Sequence, residues 1–486
     1  MMNLLYRARK NIVLKFLSEV LIRSLSFLFV VVAARYLGDR DYGTYSLAYF
    51  FAGLLIIITD LGLNTVLIRD VSRDHRLLGR YAGNILLIKI TFFLILLLLA
   101  PGFLFLLGYS RDLVLMILLS MVYLQCNHLL DFFVALTNSL EKMEYEFLIK
   151  GLYKCLVVAA PILFLWLGYG LWGLLFVLVC SYGVSCFLSG WIIQKKIIPL
   201  KLFHEIDFWK RLFRSAWPIG LSGLFMTVYA RIDMVMLSLF GISPAEIGWY
   251  SISVKIIEMF SLIPFLIMAG LFPIFSVLGS ENQEAFKITY QKVLTYLTSV
   301  SVPLLLTIFV LSDSWLVFFF GPTFANSVPS LKILIGALPL TFINYVLINT
   351  SIALNKERIV TWGSGLAVVF NIGINVIVLP RYGYLGASWT TVATEVLLSI
   401  CFLGFLQRSF FRLPLIKTAL KLGLSGGFMS LSLWGLKNFS PVFLWAISFM
   451  VYGLGLVLFR LVTREDWLFI KRIVTQPLTK PGVESR

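Results

Sequence analysis

The feature that most constrains this chain is the length of its uninterrupted apolar runs. Between Leu86 and Leu107 the sequence is interrupted chiefly by Lys89 and the Pro101-Gly102 pair, and Leu163–Ile193, Val293–Val310 and Val442–Leu461 are of the same kind. A helix that crosses the hydrocarbon of a bilayer needs about 20 such residues. Fourteen segments meet the requirement, at 12–34, 42–63, 83–107, 113–137, 152–168, 171–193, 216–240, 247–273, 293–311, 331–352, 361–379, 385–406, 417–436 and 442–462. A soluble chain would carry roughly a quarter charged residues; here the share is 13%, with 59% hydrophobic residues. The sequence therefore predicts an all-α integral membrane protein of about 14 transmembrane helices.

Lys and Arg decide the orientation. With both termini in the cytoplasm, the cytoplasmic segments collect about 30 of the 41 Lys and Arg, and the external loops about 5. The net charge of +17 is thus a topology signal. It does not point to nucleic acid, which would require a basic patch on a folded soluble domain. The basic stretch "QKKIIPLKLFHEIDFWKRLFRS" (194–215) is expected to be a cytoplasmic connector. The amino terminus is too long and too charged for a cleaved signal peptide, with Lys15, Glu19 and Arg23 inside the run, and is expected to stay as the first span. The five Cys and three His have no metal-ligand spacing, so no metal or cofactor is expected.

The chain repeats itself. Gly43-x-Tyr45-Ser46 recurs as Gly248-x-Tyr250-Ser251, and "YGLWG" (169–173) as "YGYLG" (382–386), both at offsets a little over two hundred residues and at equivalent hairpins. This predicts two six-helix lobes related by an internal repeat, plus two carboxy-terminal helices. The expected divisions are 1–193 (spans 1–6), the connector 194–215, 216–406 (spans 7–12), 407–463 (spans 13–14) and a cytoplasmic tail at 464–486. Repeated halves with a site near the midplane are typical of secondary transporters.

Several charges fall inside spans. Arg231 and Asp233 lie in "VYARIDMVMLSLFG", and Lys255 and Glu258 share a face of span 8. Lys15, Glu19 and Arg23 are spaced by four, hence on one face of span 1. Lys89, Asp131 and Glu395 lie in spans 3, 4 and 12. Two readings remain open. The charges lock helices together, with Arg231–Glu258 and Asp233–Lys255 as the pairs at matched depth. Alternatively they line a cationic cavity, since intramembrane ionisable groups usually face an interior or a water-filled space.

"YARIDMVMLSLFGISPAEIGWYSISVKIIE" (229–258) and "ARYLGDRDYGTYSLAYFFAGLLIIITDLGLN" (34–64) resemble the polysaccharide-biosynthesis flippases of the multidrug/oligosaccharidyl-lipid/polysaccharide exporter superfamily. The resemblance implies a MATE-like fold and a flippase in the cell (plasma) membrane. It would move a polyprenyl-pyrophosphate-linked oligosaccharide from the cytoplasmic to the outer leaflet by alternating access. It further implies that Arg23, Arg231 and Lys255 bind the pyrophosphate, and that Glu19, Asp233 and Glu258 orient them or sense a coupling ion. A groove holding the lipid tail is expected at Gly423, Gly426 and Gly427. A proton or sodium gradient, or the membrane potential, would drive transport, since the sequence has no Walker loop. The partners would be the lipid-linked glycan, the bilayer and other polysaccharide-assembly proteins.

Enzymatic readings find little support. Asp39-x-Asp41 sits in a tiny loop. Gly423-x-Ser425-x-Gly427 fits a nucleophile elbow but lies in an expected membrane helix rather than a strand–turn–helix. The rivals are a membrane glycan polymerase or ligase, and a multidrug or lipid exporter of the same superfamily. The first would need a sizeable external loop, and the longest expected one, 312–330, is apolar. The second would carry cationic drugs, which a cationic cavity repels.

Overall fold

A computed structural model describes residues 2–409, 415–435, 441–459 and 461, with side chains from Glu19 onward except 407–419 and 441–446. The expected tail at 464–486 and the side chain of Lys15 lie outside these.

Fifteen α-helices, with three short 3-10 turns, make up the secondary structure of the described residues. They are α1 (Met2–Ile56), α2 (Leu63–Val71), α3 (Leu78–Leu106), α4 (Arg111–Ser139), α5 (Met143–Trp166), α6 (Gly170–Lys196), α7 (Ile206–Leu239) and α8 (Pro244–Phe260). They continue with α9 (Leu262–Glu281), α10 (Gln283–Phe320), α11 (Val328–Ile335), α12 (Leu338–Ala353), α13 (Glu357–Ser409), α14 (Leu415–Gly435) and α15 (Pro441–Leu458).

Two of these helices each contain two crossings. In α1 the backbone turns at Gly38 (φ 72°). The rings of Phe29 and Tyr45 then lie 6.3 Å apart, where a straight helix would separate them by about 24 Å. In α13 the turn is at Gly383 (φ 52°), and a Cβ on Gly363 would touch the ring of Phe402. Both φ values belong to the left-handed region, which glycine enters freely. Two other crossings are assembled from pairs. α8 and α9 meet at Ser261, where Pro264 has no N–H to offer the carbonyl of Phe260. α11 and α12 form a pair bent by 47°. The fourteen expected spans thus map onto the two arms of α1, α3–α7, α8/α9, α10, α11/α12, the two arms of α13, α14 and α15. The long apolar helices make this a multi-pass membrane protein.

One expected loop is not a loop. α10 continues to Phe320, and a 3-10 turn over Pro322–Ser327 leads into α11. Its apolar side chains explain this, since Leu316, Phe320 and Phe324 are buried.

The two copies of the repeated motif touch each other. A Cβ on Gly248 would strike the carbonyl of Asp39 and come within 3.3 Å of Gly43 Cα, and one on Gly43 would strike the carbonyl of Pro244. Ser251 donates to Ser46 at 2.9 Å, and Trp249 donates to Asp39 at 3.0 Å. At the far end of the same arm of α1, Gly62 and Gly220 form a second close contact, with Gly220 against Leu61. Small residues allow such backbone approach in membrane helices. The two halves therefore meet at both ends of this arm.

The connector is shorter than expected, covering 197–205. It lies on α3 where Gly83 leaves room for Lys201 and Phe203. Asn84 accepts from the backbone of Glu205 (3.1 Å) and from Trp209 (2.9 Å), and Arg80 pairs with Glu205.

Candidate functional site

Between the two glycine contacts lies a cavity of about 310 Å³, within the range of small-ligand sites. α1 supplies Arg23 from its first arm and Tyr42, Tyr45 and Tyr49 from its second; α5 supplies Lys154; α8 supplies Lys255 and Glu258. Tyr123 and Tyr182 complete an aromatic wall, stacked with ring centres 5.6 Å apart. The lining holds three cations and one carboxylate.

Each cation is held differently. Lys255 donates to Glu258 at 2.7 Å and lies 5.2 Å from the ring centre of Phe50. Arg23 lies 4.9 Å over the ring of Phe265 and 3.9 Å from Glu19. Glu19 also accepts from Lys150 at 3.2 Å, and Lys150 binds Glu146 at 2.7 Å. Glu19 thus ties Arg23 to α5 from behind the cavity. Lys154 has no carboxylate within ion-pair distance among the described residues.

Arg231 is not in the lining. Its guanidinium carbon lies 5.2 Å from the ring centre of Tyr49 and 6.0 Å from that of Phe50. It occupies the space that a Cβ on Gly53 would fill, and its buried Nη1 has no hydrogen-bond partner among the described residues. Arg231 therefore stands behind the rings that Lys255 faces.

The expected cross-pairs are not formed. Lys255 takes Glu258, three residues along the same helix, instead of Asp233. Arg231 takes aromatic faces instead of Glu258. Asp233 is buried and accepts from Tyr250 (2.8 Å), Asn375 (2.6 Å) and Thr391 (3.0 Å), so it holds no cation in place. The reason lies in helix geometry. Residues two apart point to different faces, so Arg231 meets α1 while Asp233 meets α8 and α13.

Asp233 borders a second cavity of about 150 Å³, lined also by Tyr250, Thr391, Glu258, Tyr229 and Glu395 among others. Glu395 accepts from Asn344 (2.6 Å) and Tyr229 (3.0 Å). Glu258 borders both cavities. Elsewhere, Lys89 pairs with Asp60, and Asn127 lies 3.5 Å from Asp131.

The three glycines expected at a tail groove differ in exposure. Gly423 and Gly427 are exposed on the outside of α14. Gly426 is buried, where a Cβ would lie 3.2 Å from Val302 and 3.4 Å from Leu306 of α10.

Sequence reasoning missed Lys154 and the tyrosines. The signal for Lys154 was present: it sits eleven residues into α5. The expected boundary of span 5, at 152, placed it at a membrane edge.

Comparison with known proteins adds the following. The family model described as polysaccharide biosynthesis protein matches residues 8–278, and the MatE model matches 218–378. An uncharacterized membrane protein of Methanocaldococcus jannaschii is 25% identical over 233 residues, which is 46% of this chain and 45% of that protein. The match spans about half the length of this relative. Among solved structures, the lipid II flippase MurJ in an inward closed conformation superposes with a TM-score of 0.74 at 16% identity, covering 93% of this chain and 99% of that one. An inward-facing multidrug resistance MATE family transporter of the MOP superfamily gives a TM-score of 0.64 at 16% identity, covering 79% and 94%. At this identity the likeness concerns the fold, which is the MATE-like fold.

Proposed function

Because the chain belongs to the polysaccharide biosynthesis protein family, we propose that it is a flippase and not an enzyme. Its cargo would be a polyprenyl-pyrophosphate-linked oligosaccharide, carried from the cytoplasmic to the outer leaflet. The observation that supports this best is the cationic cavity between two close glycine contacts. A lipid tail can remain in the bilayer, but its anionic linker and glycan must cross about 30 Å of hydrocarbon. Arg23 and Lys255 would bind the linker, and Arg231 would reach it on opening of the rings at Tyr49 and Phe50.

The second cavity would hold the coupling cation, a proton or a sodium ion. Asp233 with Thr391 and Tyr250, all in its lining, offers the oxygen ligands that a hard cation takes. Glu258 would link the two events, since it borders both cavities. A cation drawn toward Glu258 would free Lys255 for the anion. The exposed Gly423 and Gly427 would admit the lipid tail along α14. Trp at Gly427 would then slow transport and leave expression intact.

The Lys/Arg bias supports a plasma-membrane orientation with both termini and the connector in the cytoplasm. Other polysaccharide-assembly proteins would deliver the cargo and remove it.

The match to the MatE model favours one second reading, an exporter of cationic drugs. The surplus positive charge of the cavity opposes it. Reconstitution tests both. Liposomes would carry a fluorescent polyprenyl-pyrophosphate-linked sugar, quenched from outside by dithionite. Protein-dependent quenching of the inner pool is expected. Export of ethidium without any such quenching would overturn the flippase reading in favour of the exporter. In a deletion strain, glycan units accumulating unpolymerised outside the membrane would instead indicate a polymerase.

A further inference from the structure

Among the described residues, the cavity contains one cation left without a counter-charge. Lys154 lies in the middle of α5, eleven residues from Met143 and twelve from Trp166. At 1.5 Å per residue each end is about 16 Å away or more, farther than a lysine side chain reaches to snorkel. It faces the cavity. The other lining cations have carboxylates: Lys255 binds Glu258 at 2.7 Å, and Arg23 stands 3.9 Å from Glu19. Lys150, one turn before Lys154 on α5, has both Glu19 and Glu146. Lys89 has Asp60. An unpaired ammonium at mid-membrane is expensive, so a structural role alone would favour a leucine or methionine at this position.

We propose that Lys154 is an anion-binding residue of the cavity, and that it sets how much negative charge the linker of the cargo must carry. This rests on the flippase reading above. Among the described residues Lys154 brings the one lining positive charge that no carboxylate offsets, since Arg23 stands by Glu19 and Lys255 by Glu258. A diphosphate esterified at both ends carries two negative charges at neutral pH, whereas a monophosphate diester carries one. Lys154 comes from α5 and Lys255 from α8, so a linker held between them touches both halves of the chain. Loss of Lys154 removes that unoffset charge, and with it the advantage of the second negative charge of a diphosphate.

The test is binding to purified full-length protein in nanodiscs, with two probes: farnesyl diphosphate esterified to N-acetylglucosamine, and the corresponding farnesyl monophosphate diester. The wild type should bind the diphosphate probe at least about tenfold tighter, as one good charge contact gives. Lys154→Gln should lose about tenfold in affinity for the diphosphate probe and change little for the monophosphate probe, so that the preference disappears. Lys154→Arg should keep it. Thermal melting of Lys154→Gln should match or exceed the wild type, since no pair is broken; Lys154→Met serves as a second variant of the same kind. An undiminished preference in Lys154→Gln and Lys154→Met would overturn the role of Lys154 and leave the flippase reading standing. A wild type that binds neither probe would overturn both.

Discussion

Ser251 donates a hydrogen bond of 2.9 Å to Ser46, and the two residues occupy the same position of a motif that the chain contains twice. Gly43 and Gly248, three residues earlier in each copy, make the close approach possible. If the halves part here during transport, Cys at both serine positions will arrest them. In a background without the five native Cys, Ser46→Cys/Ser251→Cys should cross-link on oxidation, stop transport, and recover with reductant. Full transport by the cross-linked protein would show that this contact stays closed throughout the cycle.

Gly53 underlies Arg231. Gly53→Ala would push its methyl group into the guanidinium, which sits at the flexible end of its side chain and can move away. The melting temperature should stay within about 3 °C of the wild type, while transport falls as it does in Arg231→Ala. Normal transport by Gly53→Ala would mean that the placement of Arg231 against Tyr49 is not used.

Among the described residues, Asp233 has three donors and no cation partner. Asp233→Asn keeps its shape and removes its charge. Flipping driven by a sodium or proton gradient should fall to the rate seen without a gradient, and cargo binding should persist. Retained stimulation by the same gradient would move the coupling site elsewhere, with Glu395 the next carboxylate to examine.

Asp70, at the end of α2, is held below the usual carboxylate range by hydrogen bonds from Arg69 and then from Tyr81. A depressed carboxylate stabilises the fold above its unfolded pKa and loses that contribution as pH falls through the folded value. Asp70→Asn should therefore melt lower than the wild type near neutral pH, by less than about 1 kcal/mol because the pair is partly exposed. The difference should vanish as pH drops below about 4. A difference that persists in acid would assign the loss to packing.

The connector gives the orientation. A single Cys in place of Lys201 should resist an impermeant maleimide in intact cells and react after permeabilisation. Labelling of intact cells would invert the topology.

The crossings were legible in the sequence because lipid imposes a local rule: each must be long, apolar and internally hydrogen-bonded. The meeting of Ser46 with Ser251 was foreshadowed by the repeat, though a repeat alone does not say that its copies touch. The partners of the buried charges were not legible. Spacing put Glu258 on the face of Lys255, but only helix rotation and neighbours decide whether Arg231 meets a carboxylate or the rings of Tyr49 and Phe50. Asp233 finds Asn375 and Thr391 more than a hundred residues away, a pairing with no local trace. Lys154 was hidden because the expected start of span 5, at 152, lies nine residues after the start of α5, which turns a mid-helix lysine into one at a helix end.

The fold-back turns at Gly38 and Gly383 have a practical side. Helix runs into helix through a single glycine, so these two hairpins present almost no dangling chain to the surroundings. A protease would find little to cleave there and an antibody little to grip. An epitope tag inserted at either turn would have to break a helix to be displayed, so reporters for this protein belong elsewhere, in segments such as 197–205 that already run free of helix.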